Sequence, residues 1–223
     1  FKNIKFILMK KDFEFPNKIP IFPLSNFIIF PNTNVPLNIF EPRYIQMVDD
    51  CMKGNRLIGI IQPKKTGDLK KPNLYQVGCV GKITSFNETE DGRYLIVING
   101  MCRYKVIEEL KSEKLYRECS ISFENFTNDL IQNKKEEIKF SDIKSIFNEI
   151  KILFKKQGYL INWKDLEKQN VDQTINTLCM ASPFSLEEKQ ILLESNTLSE
   201  RNKKLEQILK TYTSDSFENT TLQ

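Results

Sequence analysis

The side chains able to do chemistry are unevenly stocked in these 223 residues. Histidine is absent, which removes the commonest general base and the commonest zinc ligand. The five cysteines, Cys51, Cys79, Cys102, Cys119 and Cys179, are odd in number, widely spaced and set in apolar surroundings, with no Cys-x-x-Cys pair. That pattern implies buried thiols in a reducing compartment rather than a disulfide framework or a metal site. Gly78-Cys79-Val80-Gly81-Lys82 has the outward form of a phosphate-binding loop. The motif requires four residues between the glycines and Ser or Thr after the lysine, whereas here two intervene and Ile83 follows. A strand whose glycines admit a close neighbour or a bulge is the better reading. Serines and lysines abound, but nothing positions a pair of them as nucleophile and base. The inventory therefore implies no catalytic residue, no cofactor and no metal.

What remains is a recognition segment. Ile19 to Tyr44 reads IPIFPLSNFIIFPNTNVPLNIFEPRY: two short extended runs, Ile19–Leu24 and Val35–Ile39, separated by Pro and Asn turn residues and closing on Phe40-Glu41-Pro42-Arg43-Tyr44. Pro42 suits the first turn of a helix, where its missing N–H costs nothing, and Glu41 sits where the helix dipole favours an anion. Two roles fit this junction. In the structural one, Glu41 caps the helix, Arg43 ties strand to helix and Tyr44 enters the core. In the binding one, Arg43, with exposed Phe40, Met47 or Phe30 nearby, forms part of a groove for unfolded polypeptide, and the candidate site residues are Phe30, Phe40, Glu41, Pro42, Arg43, Tyr44 and Met47.

The elements that must position these residues follow from periodicity. Tyr44, Ile45, Met47, Val48, Cys51 and Met52 recur at helical spacing and predict a helix over Pro42–Lys53, stopped by Gly54. Leu57–Gln62 reads as a buried strand. Pro63–Asn73, with Lys64, Lys65, Lys70 and Lys71, reads as a polar loop whose lysines are solvated. Strands are expected over Leu74–Asn87, Tyr94–Ile98, Cys102–Glu108 and Tyr116–Glu124, with hairpins at Asp91-Gly92 and Asn99-Gly100. Successive hairpins with alternating apolar positions imply a small, strongly curved antiparallel sheet or barrel.

After Phe126 the chain turns polar, and a linker is expected over residues 127–140. Helices then dominate. Ile143, Ile146, Phe147, Ile150, Leu153 and Phe154 form one apolar stripe ending at Gly158, and Val171, Ile175, Leu178 and Cys179 form a second. Ser185…Glu188 and Thr197…Glu200 have capping-box form and mark two more helix starts. Trp163 is expected to anchor one helix on another. The resulting division is an N-terminal extension over 1–18, a β-rich part over 19–126, the linker, a helical part over 141–213 and a flexible tail over 214–223.

Several stretches together carry a resemblance. The Ile19–Tyr44 opening, Leu74-Tyr75-Gln76-Val77-Gly78-Cys79-Val80-Gly81-Lys82-Ile83, Asp91-Gly92-Arg93-Tyr94 and Asn99-Gly100-Met101-Cys102-Arg103-Tyr104 occur in order. Asn176-Thr177-Leu178-Cys179-Met180-Ala181-Ser182-Pro183-Phe184, Glu188–Glu194 and Glu200-Arg201 follow. Over about Ile19–Tyr212 the chain resembles the N-terminal substrate-binding domain of Lon, the ATP-dependent protease. Asn32 and Asn38 stand where the family pattern has glycine and histidine, and Cys79 where threonine is usual. The resemblance implies an α+β fold, a PUA-like antiparallel β pseudo-barrel followed by a C-terminal α-helical bundle. It also implies a non-enzymatic module that binds exposed apolar segments of unfolded or misfolded proteins in quality control, with a separate protease as a further partner. Lon's ATPase and peptidase have no counterpart here.

Charge and hydropathy narrow the alternatives. PUA-like barrels also occur in RNA-modifying proteins, and a formal charge of +4 permits an acidic partner. Among the basic residues, lysines outnumber arginines 27 to 6, and arginine is the better reader of phosphate and base edges. RNA binding is therefore the second reading. No run approaches the ~18 apolar residues of a membrane helix, and the opening FKNIKFILMKK has too short an apolar stretch for a signal peptide, so a cytoplasmic location is expected. Met9, just before the matching region, leaves two readings of the start: a natural start at Met9, or a fragment of a longer chain.

Overall fold

The alternation read between Leu74 and Glu124 becomes a closed barrel in the computed structural model, which describes residues 9–10, 13–25, 27–67, 71–131 and 138–218. In chain order the first part holds β1 (Met9–Lys10), β2 (Phe13–Glu14), β3 (Lys18–Pro23), β4 (Asn34–Ile39), α1 (Pro42–Met52) and β5 (Leu57–Ile61). It continues through β6 (Pro63–Gly67), β7 (Pro72–Leu74), β8 (Val77–Glu88), β9 (Tyr94–Leu110), β10 (Arg117–Ser122) and a 3-10 helix over Glu124–Leu130. The second part is α2 (Phe140–Lys156), α3 (Trp163–Glu167), α4 (Val171–Ala181), α5 (Leu186–Leu193) and α6 (Leu198–Glu218). The chain divides into two compact units, Phe1–Asn133 and Lys134–Gln223.

The barrel closes through β3, β5, β8, β9 and β10, with β10 pairing both β3 and β9; β4 adds to the first half of β9. Its interior holds Ile19, Ile21, Leu57, Val80, Cys102, Tyr104, Cys119 and Ile121. One pairing departs from the antiparallel expectation: β3 runs parallel to β5, Ile21 opposite Gly59. A parallel pair needs a crossover connection, and β4 with α1 supplies it.

Asp91-Gly92 makes its hairpin, with Gly92 at φ +76°. Asn99-Gly100 does not. The two strands expected on either side of it are a single strand, β9, of 17 residues. The pairing of β8 with β9 slips there: Val80 opposes Cys102 while Gly81 opposes Gly100, leaving Met101 as an extra residue. This bulge bends β9, so its first half pairs with β4 and its second half with β10. Gly100 is required for a different reason from the expected turn. A Cβ on it would lie 2.1 Å from the Phe30 carbonyl oxygen, because the Phe30–Thr33 turn docks here: Asn32 N–H donates to Gly100 O and Gly100 N–H to Thr33 O, both at 2.8 Å. Asn32, in a place where the family pattern has glycine, adopts φ +61°, a region that asparagine tolerates better than most residues. The Gly78 and Gly81 positions fit the strand reading, since Cβ atoms there would strike Ile60 O and the Ile98 side chain.

Three further differences have local causes. The polar loop at 63–73 contains a two-stranded ribbon, β6 with β7. The expected linker starts too early: Glu124–Leu130 is a 3-10 helix that buries Phe126 and Leu130. It is held to β9 by Arg103, which is 2% exposed, lies 4.4 Å from the Phe126 ring centroid and donates from Nε and Nη2 to the two carboxylate oxygens of Asp129 at 2.7 and 2.8 Å. The tail expected from residue 214 is helical through Glu218; residues 219–223 lie outside the described residues, as does most of the expected extension.

Within the helical unit both apolar stripes are buried. Ser185 and Glu188 form the reciprocal cap. Thr197 accepts from Glu200 N–H while the Glu200 carboxylate accepts from Asn196 N–H. Trp163 packs edge-on against Phe147 and Phe154, centroids 5.4 and 5.6 Å away, fixing α3 on α2. Arg201, buried on α6, donates to Leu192 O at 2.9 Å and to Asn176 Oδ1, so three of the stretches that carry the resemblance meet at one side chain.

Gly100→Ala must push the Phe30 carbonyl aside. A loss of about 1–3 kcal/mol is expected, as for other overpacked sites, read as a lower denaturation midpoint than for an Ala substitution at the exposed Lys111.

Candidate functional site

Alongside the N-terminus of α1 the barrel unit carries a cavity of about 460 Å³. Its walls come from four places in the sequence. β3 and the segment after it give Phe22, Pro23, Leu24 and Phe27, and the end of β4 with the start of α1 gives Ile39, Phe40, Glu41, Arg43 and Tyr44. Pro63 and Pro72 of the β6–β7 ribbon, and Leu115, Tyr116 and Arg117 at the start of β10, complete it. The floor is aromatic, with the Phe22 and Tyr44 rings 4.2 Å apart, while Phe40 and Leu115 are 64% and 63% exposed. The wall thus mixes aromatic rings, prolines and leucines with two guanidinium groups, one carboxylate, Ser25 and Asn38.

Four of the candidates from the sequence, Phe40, Glu41, Arg43 and Tyr44, line this cavity. Pro42 occupies the first turn of α1 and is exposed. Phe30 and Met47 are not surface residues at all, since both are 0% exposed. Met47 lies on the inward face of α1 with Tyr44, Val48 and Cys51, and Phe30 is carried inward by the turn docked on Gly100. Neither side chain can line an exposed groove. The structural role read for the junction also changes. Glu41 occupies the cap position, but its side chain makes no cap bond; its carbonyl accepts from Tyr44 and Ile45 N–H. Arg43 does not tie strand to helix. It donates to Glu41 Oε2 from Nε and Nη2 at 2.9 and 2.7 Å, and its guanidinium lies over the Tyr44 ring, 4.6 Å from the centroid. Burial raises the Tyr44 pKa, opposed by the positive charges of Arg43 and Arg117.

The residues that sequence reasoning missed hold the far wall. Tyr116 donates to Asp50 Oδ2 at 2.7 Å and accepts from Lys114 Nζ at 2.7 Å, and Leu115 N–H donates to Gln46 Oε1. With Tyr94 donating to Asp49 Oδ1, these bonds fasten α1 to the barrel. Arg117 spans the next gap, forked on Glu109 at 3.1 and 2.7 Å and donating to Pro72 O. The hydrogen bond from Tyr116 and the charge of Lys114 hold the Asp50 carboxyl below its ordinary range. For Glu109 and Glu118 burial pushes upward, but hydrogen bonds from Arg117 and Lys71, and from Lys18 and Ser112, outweigh it and lower both. Burial raises Tyr116 to about 12, so it is a neutral donor at pH 7. Nothing in the cavity pairs a nucleophile with a base. Among the described residues no group of acidic or cysteine side chains is placed to hold a metal ion, and no helix is long and apolar enough to cross a membrane.

A closed β barrel with a cavity beside one helix, followed by a helical unit, is the PUA-like α+β architecture that the resemblance implies. The sequence profile of the ATP-dependent protease La (LON) substrate-binding domain matches residues 18–211, and the chain belongs to that family. It is 27% identical over 197 residues to the Lon protease of Flavobacterium johnsoniae, covering 84% of this chain and 23% of that protein. It is 25% identical over 200 residues to that of Dictyoglomus thermophilum, covering 86% and 24%. The chain thus spans about a quarter of the length of the curated relatives it matches. Two solved structures share the fold. The Lon N-terminal domain protein from Xanthomonas campestris superposes with a TM-score of 0.61 at 19% identity, covering 86% of this chain and 97% of that one. The N-terminal domain of Mycobacterium avium complex Lon protease gives 0.58 at 16% identity, covering 86% and 98%.

Two expectations follow. Because the Arg43–Glu41 pair is about half exposed, Arg43→Ala should shift the unfolding free energy by less than about 1 kcal/mol, with the melting temperature nearly unchanged. The lowered carboxyls of Asp50, Glu109 and Glu118 contribute stability that is complete above the ordinary carboxylate range and is lost as pH falls through their depressed values. The urea midpoint should therefore drop below about pH 4, and Lys114→Met should make the drop smaller.

Proposed function

We propose that this chain is a non-catalytic recognition module that binds exposed apolar segments of unfolded or misfolded proteins, and that the cavity beside α1 receives them. The observation that carries the reading is the cavity wall: Phe22, Phe27, Phe40, Tyr44 and Leu115 with three prolines, in a domain whose family is described by substrate binding. Its volume is in the range of sites that take small ligands or single anchoring side chains. Exposed Phe40 and Leu115 at its margin are the kind of apolar surface that marks a contact site. In this reading the chain works in protein quality control in the cytoplasm, selecting clients for a protease; five buried cysteines outside any disulfide suit a reducing compartment.

Binding by apolar burial depends weakly on salt, whereas binding to phosphate weakens steeply as counterions compete, with a log-log slope of about 0.7–0.9 per neutralised phosphate. Titration with a reduced, chemically unfolded polypeptide should give micromolar affinity that changes little between low and moderate salt. Phe40→Ser with Leu115→Ser should weaken it at least fivefold, and the purified protein should neither hydrolyse ATP nor cleave casein. Saturable RNA binding at physiological salt, with no affinity for the polypeptide, would make the nucleic-acid reading correct.

A further inference from the structure

We infer that the cavity beside α1 is a receptor for the C-terminal end of a client chain, with the last apolar side chain seated on Phe22 and Tyr44 and the terminal α-carboxylate on the Arg43 guanidinium. The inference rests on the reading above, that this cavity receives client polypeptide.

Charge and geometry supply the argument. The lining holds two guanidiniums, Arg43 and Arg117, against one carboxylate, Glu41. Arg117 is already committed, its Nε and Nη2 to Glu109 and its Nη1 to the Pro72 carbonyl. Arg43 is not committed in the same way. Both of its bonds end on a single oxygen of Glu41, two residues away, and the pair is about half exposed. Such an exposed pair contributes little to stability, while a carboxylate that meets an arginine through both oxygens is held more strongly. Glu41 therefore acts as a resident carboxylate on Arg43 and shows that an anion fits against the guanidinium that is stacked on the Tyr44 ring. Its displacement frees a guanidinium that is already oriented by stacking. The positive end of α1 borders the same place and favours the same charge.

An internal apolar segment of a client brings a carboxylate to Arg43 only where an Asp or Glu happens to stand beside its apolar side chains. A chain end brings both at once, a few ångströms apart, and capture of a terminal carboxylate is a recurring mode of peptide recognition. A small free acid with an apolar body has the same chemistry, so the test must separate the two sources.

The test is fluorescence anisotropy with labelled ten-residue Gly/Ser peptides ending in Leu-Phe, as the free acid, as the C-terminal amide, and with the Leu-Phe pair moved four residues inward. The free acid should bind at least tenfold tighter than either of the others. Arg43→Gln should bring the free acid down to the affinity of the amide, and Glu41→Gln should tighten the free acid severalfold by removing its competitor. Melting curves establish that both variants are folded. Equal binding of acid and amide would overturn the inference and leave the proposed function standing, provided the unfolded polypeptide still binds. Competition by N-acetylphenylalanine as strong as by the free-acid peptide would assign the cavity to a small acid and overturn the chain-end reading. Loss of all binding, that of the unfolded polypeptide included, would overturn both.

Discussion

The backbone contact between Gly100 and the Phe30–Thr33 turn is the constraint on which the cavity depends. Two main-chain hydrogen bonds join the bulge of β9 to a turn that is otherwise distant in sequence, and Thr33 closes that turn on itself through its hydroxyl to Phe30 O at 2.6 Å. Everything on one side of the cavity hangs from this point. Phe27 precedes the turn, β4 leaves it to pair with β9, and Phe40 to Tyr44 follow directly. The opposite wall is set by polar bonds instead, from Tyr116 and Leu115 to α1. The cavity thus owes its shape to hydrogen bonds made just outside it, which are directional where apolar contact is not.

Arg103 and Asp129 do comparable work below the barrel. A forked ion pair of this depth is costly to desolvate, and its net contribution to stability is small or negative; breaking one partner, however, strands a buried charge. Its effect is to specify where the chain goes after β10, by fastening the 3-10 helix to β9. Arg201 plays the same part in the helical unit. The stretches by which the chain resembles Lon's substrate-binding domain therefore include residues that hold the fold, and this is why the resemblance spans both units while saying little about which surface binds.

What the sequence disclosed was local. The start of α1, the Asp91-Gly92 hairpin, the Ser185–Glu188 cap and the two apolar stripes are each decided by neighbours within a turn or two, so their residue types identify them. What it concealed was decided at a distance. Asn99-Gly100 has the same form whether it makes a hairpin or a bulge, and the choice falls to a turn 70 residues earlier in the chain. Glycine at 100 was legible as a requirement, but not for its reason. The parallel partnership of β3 with β5 leaves no trace in either strand alone. At the cavity, the Phe40–Tyr44 segment was identifiable because proline, charge and aromatic residues crowd a helix start. Phe30 and Met47 were misplaced because an aromatic in a loop or a methionine on a helix reads the same facing in or out. Leu115 and Arg117 had no local signal at all, and only barrel closure brings them there.

The buried cysteines give the fold a built-in reporter. All five cysteines are buried and outside any disulfide, and burial pushes Cys51 and Cys179 up to about 12 and Cys119 to about 11. Since the thiolate is the form that reacts with alkylating reagents and oxidants, the native molecule is doubly shielded, by access and by protonation. Modification must then wait for the surrounding structure to open. Four of these thiols lie in the barrel unit and Cys179 alone in the helical one, so the rate at which each is labelled is a clock for the opening of its own unit. The wild-type chain, without any introduced probe, can report whether barrel and helices come apart together or one at a time.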